Sequence, residues 1–342
     1  VPVELQPHPN AERLSIVRVF GYDVCVRTED WEGKDRGIYV PVDAMVPVTR
    51  PEFAFLKDPQ KLDQTWHRVR ARKLRGVFSM GLLVPCPAMV PIPDKPGGYE
   101  ALDLGDDMTE YLGVTKYEEP EVIRRGNVFQ MQGAHDSEPP PPGHTVKYTD
   151  IEHVRRHGGV FYPGELVAVT EKIHGANARY TYRDGQIHVG SRNQWKRAEE
   201  SSGWWRALTV PMLRLCTEES PLILFGEVYG QGIQDLTYGT ATPRFIAFDL
   251  YDPEADCYLD YAEFRSICLR YRVPMAPLLY VGAYDADVIK TLSERDSAVA
   301  GNGQISEGVV VRPLFERRDN SLGRVVLKLP GERYLLRSEK AA

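Results

Sequence analysis

The sequence predicts an α+β protein of two domains, and three features point that way. Its 342 residues leave room for two separate hydrophobic cores. Its first third alternates short apolar runs with turn residues, the pattern of a small β-barrel or sandwich. From Val114 onward that rhythm is lost, and a proline run divides the barrel-like third from the remainder of the chain.

Taken in order, residues 1–115 contain three expected strands: Leu14-Ser15-Ile16-Val17-Arg18-Val19, Asp23-Val24-Cys25-Val26-Arg27 and Gly37-Ile38-Tyr39-Val40-Pro41-Val42. Trp66-His67-Arg68-Val69-Arg70-Ala71-Arg72-Lys73-Leu74-Arg75 interleaves basic residues with others, so part of one strand face is cationic. Residues 116–146 are expected to be a stiff linker, because Asp136-Ser137-Glu138-Pro139-Pro140-Pro141-Pro142-Gly143 cannot join the interior of a sheet or helix. Residues 147–342 form the second domain. It opens with one short helix over residues 149–156 and continues with the strand-like run Leu166-Val167-Ala168-Val169-Thr170. A lysine-bearing loop, Glu171-Lys172-Ile173-His174-Gly175-Ala176-Asn177, leads into a second strand, Arg179-Tyr180-Thr181-Tyr182, closed by Asp184-Gly185.

Bulk properties narrow the function classes. Lys and Arg number 42 against 48 Asp and Glu, so a nucleic-acid partner has to be met by a local basic patch. Five scattered cysteines, with no Cys-x-x-Cys pair and no zinc spacing, read as reduced thiols. No apolar run approaches the ~20 residues a membrane span needs, and Val1-Pro2-Val3-Glu4 does not open a secretory signal. A cytoplasmic protein without a membrane partner is expected, and no obligate protein partner is evident.

Lys172 is the candidate nucleophile, since a lysine at the mouth of two strands can attack phosphorus once its amine is neutral. The pattern Lys-x-x-Gly is common by itself and recurs at Lys34-Gly37, Lys73-Gly76, Lys95-Gly98 and Lys328-Gly331. Lys172 is distinguished by a series of segments downstream of it. In order these are Gly190-Ser191-Arg192, Phe225-Gly226-Glu227-Val228-Tyr229-Gly230, Phe245-Ile246-Ala247-Phe248-Asp249, Ser306-Glu307-Gly308-Val309-Val310-Val311 and Val325-Val326-Leu327-Lys328-Leu329.

That ordered set resembles the covalent nucleotidyltransferase superfamily of RNA ligases, DNA ligases and capping enzymes, over about residues 147–335. The His-Gly-x-Asn form of the lysine loop is similar to the RNA ligase branch. His8-Pro9-Asn10-Ala11-Glu12-Arg13-Leu14 resembles the start of the tRNA-binding type of OB module. The fold implied is an OB-fold β-barrel followed by an ATP-grasp-like adenylylation domain of antiparallel sheets with flanking helices. An OB module ahead of the catalytic domain is similar to the Deinococcus-type RNA ligases, and with so few residues after Lys328 no further domain is expected there.

The resemblance implies a role for each matched residue. Lys172 takes AMP from ATP as a phosphoramidate. A free lysine has a pKa of about 10.4, and a neighbouring cation, Lys328 or a bound Mg²⁺ or Mn²⁺, lowers it. Glu307, with Glu227, is assigned to the metal, which takes hard oxygen ligands. Glu227 also contacts the ribose and Phe248 stacks on adenine. Glu171, His174 and Gly175 belong to the nucleotide site, and Arg192 and Lys328 neutralise phosphate oxygens. Asn177 is assigned to the sealing step, with Gln234 and Arg192 toward the nucleic acid. One position departs from the family: the second lysine of the last motif is replaced by Pro330, for which Arg333 is a candidate stand-in.

The function implied is ATP-dependent joining of a 3′-OH to a 5′-phosphate in RNA or in an RNA-ended nicked duplex. Two alternatives stay open from sequence: a DNA ligase of unusual layout, and a non-enzymatic tRNA- or RNA-binding adaptor.

Overall fold

A computed structural model describes residues 1–91, 99–117, 122–125, 128–131, 137–141, 146–301 and 303–337. The chain divides into two compact units, Val1–Glu119 with Leu335–Ala342, and Pro120–Tyr334. Leu335 groups with the first unit, where it packs against Tyr22, Ala71 and Met80.

In the first unit the strands are short, as the sequence pattern suggests. Leu14–Val19 and Tyr22–Arg27 form a hairpin; in the second of them Tyr22, Val24 and Val26 are buried while Arg27 is exposed. This period of two puts Val17, Val19, Val24 and Val26 on one core with Trp31. Gly37–Val40 pairs with Leu82–Pro85, and Ala44–Pro47 pairs with Trp66–Arg68 and Thr115–Lys116. These strands enclose a second cluster around Val46, Phe53, Val84 and Leu112. Gly37 is needed where it stands, since a Cβ there would lie 2.7 Å from the Trp31 ring.

The second unit contains a seven-stranded and a five-stranded sheet. In the larger one, Ala176–Arg183 lies between Gln186–Ser191 and Ile223–Tyr229, and Arg244–Asp252 pairs with the latter. Helices Val210–Glu218 and Tyr261–Tyr271 cover one face and close a core around Tyr180, Leu215, Leu224, Leu250 and Phe264. In the smaller one, Leu166–Lys172 runs between Leu278–Ala283 and Gly308–Pro313. Its continuous apolar run has a structural cause. Ala168 enters the core of the first sheet, while Val167 and Val169 enter the core of the second, so both faces of this strand are buried.

Three expectations need correction. Residues 149–156 are not one helix: Glu152–His153 is a strand, and only Val154–His157 is helical. His153 serves as the cap, its Nδ1 accepting from the Arg155 amide at 3.2 Å. That strand pairs in parallel with Leu327–Pro330, so the smaller sheet is not wholly antiparallel. The linker also reaches a sheet, since Ser137–Glu138 pairs with Trp195–Lys196. The proline run permits this because the pairing ends before Pro139 and lies at the sheet edge. Asp136, Pro142 and Gly143 of that run, and Lys95-Gly98, lie outside the described residues.

Candidate active site

Lys172 is the last residue of its strand, and its register sets the site. It pairs with Gly308, which in turn pairs with Pro330. Glu307, one residue ahead of Gly308, is thereby brought beside the lysine. Lys172 Nζ donates to Glu307 Oε1 at 2.7 Å, with the two side chains 22% and 12% exposed. Gly308 permits the crossing: its φ is +142°, and a Cβ would sit 2.2 Å from the Leu329 carbonyl oxygen. Burial alone would raise the Glu307 carboxyl, but the Lys172 ammonium and His174 outweigh it and hold Glu307 down at about 2. The carboxylate is therefore charged at any physiological pH.

The turn after Lys172 is equally constrained. A Cβ on Gly175 would lie 2.2 Å from the Val228 carbonyl oxygen and 2.9 Å from Glu227 Cγ, so the Glu227 side chain closes against the lysine loop. Glu227 stands opposite Asn177 on one side and Ile246 on the other. Asn177 Oδ1 is buried and has no hydrogen-bond partner among the described residues. An orphaned acceptor of this kind costs free energy unless a ligand or water meets it.

His174 is held from several directions. Its ring Nε2 lies 2.7 Å from Asp235 Oδ1, its Nδ1 lies 2.9 Å from the Tyr334 hydroxyl and 3.4 Å from Glu307 Oε2, and its amide donates to the Tyr238 hydroxyl at 2.6 Å. Sequence reasoning found His174 but missed Asp235 and Tyr334. Asp235 directly follows Gln234 in the loop after Ile223–Tyr229, and nothing local distinguishes it.

The other predicted residues spread around this centre. Glu171 points to the opposite face of its strand, where its carboxylate accepts from Ser297 Oγ at 2.5 Å and the Ala298 amide at 2.7 Å. It anchors the 297–300 turn. Burial raises its pKa, against those hydrogen bonds. Arg192 follows the strand Gln186–Ser191 and pairs with Asp150. Phe248 is half-buried, its ring centroid 4.7 Å from that of Tyr148. Lys328 stands opposite Val310 and beside His153. Pro330 occupies the cross-strand row of Lys172 and Gly308, the row in which the missing second lysine would stand. Arg333 does not fill that row: its guanidinium donates to Asp296 at 3.0 Å and to the Glu294 carbonyl at 3.2 Å.

Among the described residues no group of three or more His, Cys, Asp or Glu side chains is arranged to hold a metal. Glu307 and Glu227 instead offer one or two carboxylates near a lysine. That suits a hard divalent ion completing its shell with water and phosphate oxygens.

The two-sheet fold and a strand-end lysine paired with a buried carboxylate define a class, and likeness to known proteins narrows it. Residues 165–329 match the RNA ligase family and residues 3–86 match an OB-fold domain. The segment 165–329 is thus of the RNA ligase kind, and an OB-fold segment precedes it in the chain. The RNA ligase of Naegleria gruberi with pyrophosphate is similar in structure, at a TM-score of 0.76 and 24% identity, covering 100% of this chain and 97% of that one. Substituted forms of the same enzyme, one with ATP and manganese and one with AMP and manganese, each give a TM-score of 0.76 at 24% identity. The first covers 100% of this chain and 96% of that one, and the second 98% and 96%. At this identity the likeness establishes the fold. Among curated proteins nothing matches the sequence.

Proposed function

We propose that the protein seals 3′-OH/5′-phosphate breaks or nicks that carry an RNA 3′ end, using ATP and a lysyl-AMP intermediate on Lys172. The observation that carries this reading is the Lys172–Glu307 contact at 2.7 Å inside an RNA ligase domain. The similar Naegleria structures contain ATP, AMP or pyrophosphate, with manganese in several cases, which is the ligand set the reading needs.

Three transfers are proposed at one site. Lys172, having lost its proton, forms a bond from Nζ to the α-phosphorus of ATP as pyrophosphate leaves. The 5′-phosphate of the broken strand then attacks that phosphorus, and Lys172 departs. Finally the 3′-OH attacks the activated 5′-phosphate, a phosphodiester forms and AMP leaves. Glu307 and Glu227 would hold Mg²⁺ or Mn²⁺, whose charge offsets that of the phosphate oxygens. Arg192 and Lys328 neutralise phosphate, Phe248 offers a face to adenine, and Gln234 faces the nucleic acid. Asn177, with its unmet Oδ1, serves the sealing step.

The OB-fold domain holds the nucleic acid through phosphate contacts, in an arrangement of the Deinococcus type. All five cysteines are free, which fits a reducing cytoplasm. No helix among the described residues is long and apolar enough to cross a membrane.

Nicked duplexes that differ only in the sugar at the 3′ end test the proposal. Efficient sealing is expected with a ribose there and at least tenfold slower sealing with deoxyribose. Equal rates would make the protein a general polynucleotide ligase. No sealing of either, with Lys172 adenylylated, would remove end joining as its function.

A further inference from the structure

The expected cationic face of residues 66–75 is not uniform once folded. From Lys61 to Gly76 stand six Lys or Arg and one acid, Asp63, in a chain whose net charge is -6. Arg68 is engaged within the fold: it donates to Asp43 at 2.8 and 2.9 Å and lies 3.7 Å from the Tyr117 ring centroid. Arg70, Arg72 and Arg75 differ. They are exposed, and among the described residues none of them pairs with a carboxylate.

Their placement is ordered by the backbone. Val69 and Ala71 are buried, so Arg70 and Arg72 alternate outward on one side of an extended segment. Two residues of extended chain span about 6.7 Å, comparable with the separation of successive phosphates along a nucleic-acid strand. His67 reports that these charges converge: burial first, then Arg72, Arg70 and Lys61, push its pKa down. Arg75 occupies the tip of the hairpin joining Arg72–Leu74 to Val77–Ser79, with Arg75 and Gly76 at φ +46° and +92°. A two-residue turn with both φ values positive matches the twist of its strands.

The amino-terminal motif holds that tip. The amide of Asn10 donates to His8 Nδ1 at 3.1 Å, which leaves His8 Nε2–H to donate to the Leu74 carbonyl at 3.1 Å. Asn10 Nδ2 donates to the Arg75 carbonyl at 2.9 Å. A surface loop pinned at two successive carbonyls presents its arginine at small entropic cost.

We propose that Arg70, Arg72 and Arg75 form the ridge on which this domain takes the phosphate backbone of a nucleic-acid strand, with His8 and Asn10 as positioning residues for its tip. This rests on the reading of the chain as an RNA-joining enzyme and assigns the residues by which its OB-fold domain grips the substrate. A backbone of regularly spaced single charges matches the ridge better than a compact anion does, because each arginine meets its own phosphate.

The test uses the full chain without ATP and a fluorescent nicked duplex carrying a 5′-phosphate and an RNA 3′ end, titrated between about 50 and 200 mM salt. The triple variant R70A/R72A/R75A is expected to bind at least tenfold more weakly at low salt, with a slope of log K against log salt smaller by about 2–3. A control, R18A/R27A, removes two arginines of the same domain that already face Asp23, Glu29 and Asp30, and is expected to change the slope by less than about 0.5. An unchanged slope in the triple variant, or an equal loss in the control, overturns the ridge. Should the triple variant melt early, Arg75→Ala alone, at an exposed tip, is expected to lower the slope by about 1; no change there overturns the ridge too. AMP uptake by Lys172, followed in parallel, is expected to match the parent. A parent that takes AMP yet does not bind the duplex overturns the ridge and leaves the nucleotidyl transfer standing. A parent that binds through the ridge but takes no AMP defeats the ligase reading alone.

Discussion

The strand Gly308–Pro313 and the residue before it touch two charge clusters of opposite character. At one end Glu307 meets Lys172 and His174, with side-chain exposures of 12%, 22% and 5%. At the other, Arg312 and Arg324 clasp Asp249 at 2.8 and 2.7 Å, with exposures of 4%, 3% and 0%. Tyr148 donates to the same carboxylate at 2.8 Å, Glu316 balances the second arginine at 2.6 Å, and Arg324 lies 3.5 Å from the Tyr258 ring centroid. Both oxygens of Asp249 are engaged. The Asp249 cluster pairs its charges with one another and leaves Arg312 Nε without a partner among the described residues, whereas the Lys172 cluster keeps a partly exposed amine and stands near the unmet Asn177 Oδ1. Charges that satisfy one another support a fold, and charges left with something to bind are available for chemistry.

The two clusters should respond differently to loss of a carboxylate. Asp249→Ala leaves two buried guanidinium groups with one acid between them and is expected to cost about 3–5 kcal/mol in urea unfolding. Glu307→Gln is expected to unfold much closer to the parent while AMP uptake slows at least a hundredfold. Equal destabilisation by both substitutions would erase the distinction between a structural and a chemical cluster.

A smaller effect is expected at the edge of the same sheet. Burial, then Lys328, Arg155 and Arg156, lower His153 to about 3 from a usual value of 6.5. The folded state therefore resists a proton that the unfolded chain accepts. Stability is full above about pH 6.5 and falls as pH drops toward about 3, by up to about 1.4 kcal/mol per unit. Between about pH 6 and pH 4 the parent is expected to lose about 2 kcal/mol more than His153→Gln. Parallel stability curves for the two proteins would show that His153 does not carry this pH dependence.

The clusters also differ in how far the sequence discloses them. The sequence singles out Lys172, Glu227 and Glu307 because each sits in a short motif whose order along the chain matters more than any one residue. It does not single out the Asp249 network. Arg312 and Arg324 follow Asp249 at a distance, and no local pattern tells an arginine bound for a buried carboxylate from one bound for solvent. The same limit hid Asp235 and Tyr334 as partners of His174. The strand Glu152–His153 looks helical in the local sequence because its parallel partner, Leu327–Lys328, lies far away along the chain. The basic run 66–75 was visible, but its division between Arg68 and the three exposed arginines depends on Asp43 and Tyr117.

The central claim is that Lys172 is the nucleophile, and the intact mass of the protein after incubation with ATP and Mg²⁺ or Mn²⁺ tests it most directly. The parent, shown beforehand to be free of AMP, is expected to gain the mass of one AMP, and Lys172→Ala to gain none. No gain in the parent with either metal, or the same gain in the variant, would contradict the account.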